Sequence, residues 1–167
     1  MRAKQDHPVT CVSWHDALVF CKWAGVRLPT EAEWAKAARG TDGRIWPWGN
    51  REPNSGVCNF NMTVGDTTPV GRYPDGKSPY GLLDVAGNVW EWTSSLWGTD
   101  SSKSEFGYPY DAKDGRENPG APDTVRRILR GGSFGGDAQG VRCACRAGLD
   151  PVNRHVYLGF RVVSPGF

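Results

Sequence analysis

Two stretches near the N-terminus carry apolar residues at helical spacing. In the first, Trp14, Ala17, Leu18 and Cys21 repeat along one face until Gly25 stops the run, and Ser13 followed by Asp16 has the form of a capping arrangement. Pro29 then holds the chain extended. Thr30 and Glu33 form a second capping box, Trp34, Ala37 and Ala38 make the buried face, and Gly40 ends the segment. The spacing predicts helices over residues 14–24 and 31–39. From Thr41 to Gly81 turn formers dominate and no helical period survives. Gly87-Asn88-Val89-Trp90-Glu91-Trp92-Thr93 alternates as a strand does, with Val89, Glu91 and Thr93 on one face and both tryptophans on the other. Gly98–Asp123 is polar and turn-rich and reads as a long surface loop. Further strands are predicted at 127–130, around 141–146 and at 158–163, with the last two paired in the core. No repeat, heptad or linker divides the chain, so residues 1–167 read as a single α+β domain: two helices, short twisted antiparallel strands and many irregular loops.

Composition sharpens that picture. Twenty-two glycines and twelve prolines make about a fifth of the 167 residues, against about 12% in ordinary proteins. Eight tryptophans accompany them, and such rings anchor irregular segments by their large buried area. A helical bundle is excluded, and the tryptophans are expected inside. Twenty basic and eighteen acidic residues interleave to a net charge of +2. No basic stripe marks a nucleic-acid partner. No run approaches the ~20 apolar residues of a membrane span and no apolar signal core opens the sequence. The expectation is therefore a cytoplasmic location as encoded and no membrane partner.

The five cysteines, Cys11, Cys21, Cys58, Cys143 and Cys145, are odd in number and read as reduced thiols, mostly packed as small hydrophobes. No G-x-S-x-G elbow and no phosphate-binding G-x-x-x-x-G-K-S/T loop occurs, and the three histidines lie in unrelated contexts. Asn59, Asp66, Asp84 and Glu91 are oxygen donors in glycine-rich turns. Hard-cation sites combine such side chains with free backbone carbonyls, and solvated loop acids have the same pattern.

Pro8-Val-Thr-Cys-Val-Ser-Trp, Arg27-Leu-Pro-Thr-Glu-Ala-Glu-Trp-Ala-Lys-Ala-Ala-Arg-Gly, Trp48-Gly-Asn, Thr68-Pro-Val-Gly, Gly87-Asn-Val-Trp-Glu-Trp, Arg130-Gly-Gly-Ser-Phe and Gly159-Phe-Arg-Val-Val follow one another in an order that resembles the formylglycine-generating enzyme (sulfatase-modifying factor) family. The resemblance implies a C-type-lectin-like fold. It also implies structural calcium, with Asn59, Phe60 and Asp66 around one ion and Asp84, Gly87, Val89 and Glu91 around a second. Enzymes of that family use two cysteines, between Gly-Gly-Ser and the following Arg-Cys-Ala, to bind copper. The interval Phe134–Val141 contains none. Neither copper nor iron is expected, and catalytic residues are assigned to none of the positions. The G-G-x-F-x-M-G strand that opens the family domain is missing from these 167 residues, so the domain reads as N-terminally short.

The C-terminal part is similar to the variable region of diversity-generating retroelement proteins, in which adenine-directed mutagenesis rewrites Asn codons. An AAC codon altered only at its adenines cannot encode Lys, Glu, Gln, Met or Trp. These five types form about one residue in seven of the whole chain but supply a single residue, Gln139, after Gly131. Against G-G-S-F-x-x-x-x-Q-x-V-R-C-A-x-R-x-x-x-x-P-x-N-R-x-x-x-L-G-F-R, the open slots hold Gly135, Gly136, Asp137, Ala138, Gly140, Cys145, Ala147, Gly148, Leu149, Asp150, Val152, His155, Val156 and Tyr157. The reading is a non-enzymatic protein that displays residues 131–163 as a hypervariable surface to a protein or small-molecule ligand. These slots are expected on one exposed face, with Tyr157 as its main contact. Two other readings stay open: a formylglycine-generating-type oxidoreductase acting on a sulfatase cysteine, and a non-catalytic structural or interaction paralogue.

Overall fold

A computed structural model describes residues 4–164. Helix α1 spans Trp14–Ala24 and α2 spans Glu31–Arg39. Both begin in reciprocal capping boxes. The Ser13 and Thr30 hydroxyls accept from the amides of Asp16 and Glu33, whose carboxylates accept in return from the Ser13 and Thr30 amides. Gly25 ends α1 at φ 67°, a left-handed position that costs glycine nothing. The polar tips of the boxes are tied further, Asp16 by Arg154 and Glu33 by Arg27.

Four strands follow: β1 (Trp90–Gly98), β2 (Arg126–Arg130), β3 (Ala147–Leu149) and β4 (Leu158–Phe160). They form one sheet in the order β3-β2-β1-β4. β1–β2 and β2–β3 are antiparallel, whereas β1–β4 is parallel, so the sheet is mixed rather than wholly antiparallel. Trp92 pairs with Leu129 across its centre, and irregularities beyond Trp92 bend the longer strand. Trp92 and Leu129 meet Trp14, Ala17, Cys21, Leu28 and Leu158 in one core cluster. A second gathers Trp46, Val57, Cys58, Ala86 and Val141 under the loops, and a third joins Trp34 and Ala38 to Val85 and Cys143.

The helix bounds agree with the sequence pattern, but the strands move. The alternation that begins at Gly87 becomes a strand only from Trp90 and runs on to Gly98. Residues 141–146 are turns rather than a strand. β3 begins after them and lies at the edge opposite β4, so the two do not pair. Five tryptophans are buried and Trp48 and Trp90 partly so, but Trp23 is 81% exposed. The 99–124 segment is irregular, as expected, yet it is not merely superficial. Its Arg116 is 1% exposed, and the Arg116 backbone carbonyl accepts from the Leu96 amide (2.8 Å). All five cysteines are free thiols.

Candidate functional site

The fourteen open slots alternate with positions that the fold cannot spare. Gly132, Ser133, Phe134, Val141, Cys143, Pro151, Leu158 and Gly159 are buried, whereas every one of the fourteen is exposed or partly exposed. They fall in two groups. The Gly135–Gly140 loop is held from below through its own backbone carbonyls. The Asn61 amide donates to the Gly136 carbonyl and the Met62 amide to that of Phe134 (both 2.7 Å), and the Trp46 indole donates to the Ala138 carbonyl (3.3 Å). Asp137 closes the loop by accepting from the Gly140 amide (2.8 Å). The bonds from below do not depend on the loop's own side chains, since carbonyls are common to all residues, whereas the closure by Asp137 does.

The second group follows β3. Asp150 accepts from Arg126 (2.9 Å), the Cys11 amide donates to the His155 carbonyl (3.0 Å), and the Trp14 amide to that of Pro151 (3.0 Å). His155 stacks on Tyr157 with ring centroids 3.7 Å apart. Val152, His155 and Val156 are exposed. Ala147, Leu149 and Tyr157 instead lean on the α1 core cluster, so half of each of these side chains serves packing. Among the described residues no hydrogen bond or ion pair links the Gly135–Gly140 loop to residues 147–157. Cys145 lies between the groups, within electrostatic range of Asp137. The expected convergence rested on paired strands that the sheet order does not provide.

Gly148 departs from the rest. A Cβ there would lie 2.2 Å from the Trp97 ring, whereas at Gly135, Gly136 and Gly140 the nearest atoms are 3.4–3.8 Å away. Gly148 is an edge-strand position facing a buried indole, and the space needed for variation is missing.

The residues implied to hold calcium divide in the same way. Asn59 is buried between two turns. Its Nδ2 donates to the Asp66 carbonyl (2.8 Å) and its carbonyl accepts from the Asn88 amide (2.9 Å), while its Oδ1 is buried with no hydrogen-bond partner. An oxygen left bare in this way is the donor a hard cation uses. The Asp66 carboxylate accepts from the Thr67 amide (2.7 Å) and pairs with Lys4. The Phe60 carbonyl accepts from Thr63 Oγ1 (2.9 Å). In this set Asn59 Oδ1 is the oxygen left for an ion, since the Asp66 carboxylate already holds the Lys4 ammonium. In the second set the carboxylate of Glu91 is fully committed. Both Glu91 oxygens are taken by Arg161 (2.6 Å each), and Oε2 also accepts from the Trp34 indole (2.6 Å). A cation beside that guanidinium would be repelled. Asp84 accepts from the Gly71 amide (2.6 Å), and burial raises its carboxyl pKa, with Glu91 adding to the rise. Asp84, Val89, Glu91 and Arg161 line a cavity of about 380 Å³. Gly87 serves backbone packing there: its amide donates to the Gly131 carbonyl (2.8 Å). The pairing of Glu91 with Arg161 and Trp34 is not legible in the motifs, because partners 70 and 57 residues away leave no local signal.

The family model of the sulfatase-modifying factor enzyme 1-like domain matches residues 1–165. The chain belongs to this family. Formylglycine-generating enzyme of Bos taurus is 36% identical over 178 residues, covering 96% of this chain and 45% of the relative. Inactive C-alpha-formylglycine-generating enzyme 2 of Mus musculus is 40% identical over 162 residues, covering 89% and 52%. The chain thus spans about half the length of the curated relatives it matches. Among solved structures, Treponema denticola variable protein 1 superposes with a TM-score of 0.71 at 26% identity, covering 98% of this chain and 73% of that one. The family and the α+β, C-type-lectin-like architecture inferred from the motifs are therefore established.

Proposed function

We propose that this chain is a non-enzymatic ligand-binding protein of the variable-protein type, which presents changeable side chains on a fixed frame. The observation that carries this reading is the burial pattern of residues 131–161: every slot reaches solvent while Gly132–Phe134, Val141, Cys143, Pro151, Leu158 and Gly159 are buried, and the glycine slots Gly135, Gly136 and Gly140 have room for a side chain. The structural similarity to a variable protein supports it. A rigid frame suits the role, because each new surface then binds without ordering the chain beneath it. The ligand is a protein or small molecule met by Val152, His155, Val156 and Tyr157 on one side and by the Gly135–Ala138 loop on the other. Calcium at Asn59, Phe60 and Asp66 is part of the proposal, as a brace beneath that loop, whose Gly136 carbonyl is bonded by the neighbouring Asn61 amide.

The sequence similarity to formylglycine-generating enzymes favours a second reading, oxidation of a sulfatase cysteine. It lacks the cysteine pair in 134–141, and burial pushes the Cys143 thiol up to about 11, the reverse of a reactive thiolate. The test is genomic. The display reading expects, beside a reverse transcriptase gene, a near-repeat of the DNA for residues 131–163 that differs mainly at adenines. A genome with no such repeat, together with copper-dependent oxygen uptake on a cysteine-containing sulfatase peptide, contradicts it.

A further inference from the structure

Behind the turns of residues 141–146, the 99–124 segment closes over the sheet and leaves a pocket of about 280 Å³ lined by Arg39, Tyr108, Arg130, Cys143, Arg146 and two alanines, Ala35 and Ala144. Three guanidiniums, those of Arg39, Arg130 and Arg146, face this small space, and the last two share one carboxylate as ion-pair partner. Fully buried Glu31 is bridged by Arg146 (2.5 Å) and lies 3.4 Å from Arg130, and Arg116 also leans on it at 3.9 Å. Arg39 donates only to the carbonyls of Gly43 and Arg44 (2.9 and 3.0 Å). Arg130 is 2% exposed, with its Nη atoms on the carbonyls of Cys143 and Cys145 (2.5 and 2.9 Å), and its buried Nε has no acceptor. Aromatic faces flank the charges. Arg130 lies over Trp34, and Arg146 over Trp97 and Tyr108. An excess of fixed positive charge beside an unsatisfied buried donor, with an apolar wall, is what a desolvated oxyanion needs.

We propose that this pocket binds a small anionic ligand, its carboxylate or phosphate head among Arg39, Arg130 and Arg146 and its apolar part against Ala35, Ala144 and the Tyr108 ring. Tyr108 is half exposed and stands at the rim as the accessible wall. None of the lining residues is one of the fourteen open slots, so the site belongs to the frame. Every surface variant would carry it unchanged. The inference rests on this geometry and not on the display reading.

The test is calorimetric titration of the 167-residue protein with benzoate, with phenyl phosphate and with the neutral benzyl alcohol. Ligands of this size bind with Kd on the order of 1 mM. At least one anion should bind at about that level, roughly tenfold tighter than benzyl alcohol, and more weakly as salt is raised. The tighter of the two anions identifies the head group. Arg39→Gln, at an exposed position, should keep the melting temperature and weaken that anion about tenfold. Val156→Ser, in an open slot, should leave its affinity unchanged. Failure of both anions to bind, equal binding of benzyl alcohol, or unchanged affinity in Arg39→Gln overturns the proposal. So does a loss in Val156→Ser.

Discussion

Gly148 and Gly136 both occupy open slots, but the same methyl group has opposite consequences at the two. At Gly148 it meets the Trp97 ring, and at Gly136 it finds only ordinary contacts with Ser133 at 3.4 Å. Gly148→Ala should cost about 1–3 kcal/mol in urea unfolding, and Gly136→Ala about 0.5 kcal/mol or less. Glu33 gives a pH signature. The Arg27 guanidinium and the Thr30 amide hold its carboxyl down to about 2, from an ordinary 4.5. A depressed carboxyl contributes stability that is whole above the ordinary value and is lost as the folded form protonates. The advantage of the parent over Glu33→Gln in melting temperature should therefore be constant at neutral pH and shrink from about pH 4.5 to pH 2. It should be small throughout, since the pair is half exposed. Asn59 tests the brace. If its bare Oδ1 holds calcium, chelation should lower the melting temperature by several degrees, and Asn59→Ala should abolish that response. Glu91→Gln should destabilise with or without chelator, because it breaks the contact with Arg161.

Among the elements, what could be read in advance was what the chain specifies locally. Ser13 with Asp16 and Thr30 with Glu33 fix both helix starts through bonds three residues long, so both helices were legible in full. The short strands were not. Ala147–Leu149 and Leu158–Phe160 have three residues each, and their pairing is decided by β1 and β2, far away in sequence. The same limit hid Arg116. Its stretch is polar and turn-rich, and nothing local tells that its guanidinium is bidentate with Asp114 and stacked 4.7 Å from the Tyr110 ring. Arg116 is one pin of the long loop: its guanidinium is buried 3.9 Å from Glu31 and its carbonyl is bonded by the Leu96 amide. Arg116→Ala should cost about 3 kcal/mol. It should also open residues 99–124 to limited proteolysis before the rest of the domain is cut, whereas cleavage spread evenly over the chain would refute the pin.

For the whole molecule, the candidate site was legible as a list and not as a shape. All fourteen slots reach solvent, and the glycines and apolar residues of the fixed motifs are packed inside, but the motif positions Gln139, Arg142, Ala144, Asn153 and Arg154 are exposed as well. The motif pattern did not reveal that the slots form two groups, that Trp97 closes one of them, or that an arginine-lined pocket lies between helix α2 and the frame. Those features depend on tertiary approach. The central claim is that thirteen positions change while the fold stays. A library with these thirteen codons randomised and Gly148 retained, sorted for protease-resistant folded protein, measures that claim directly. The display account predicts that most members remain folded, with melting temperatures within a few degrees of the parent and weaker tolerance at Ala147, Leu149 and Tyr157. A library in which most members unfold, or in which the slots tolerate no more than Phe134, Val141 or Leu158 randomised in parallel, would contradict it.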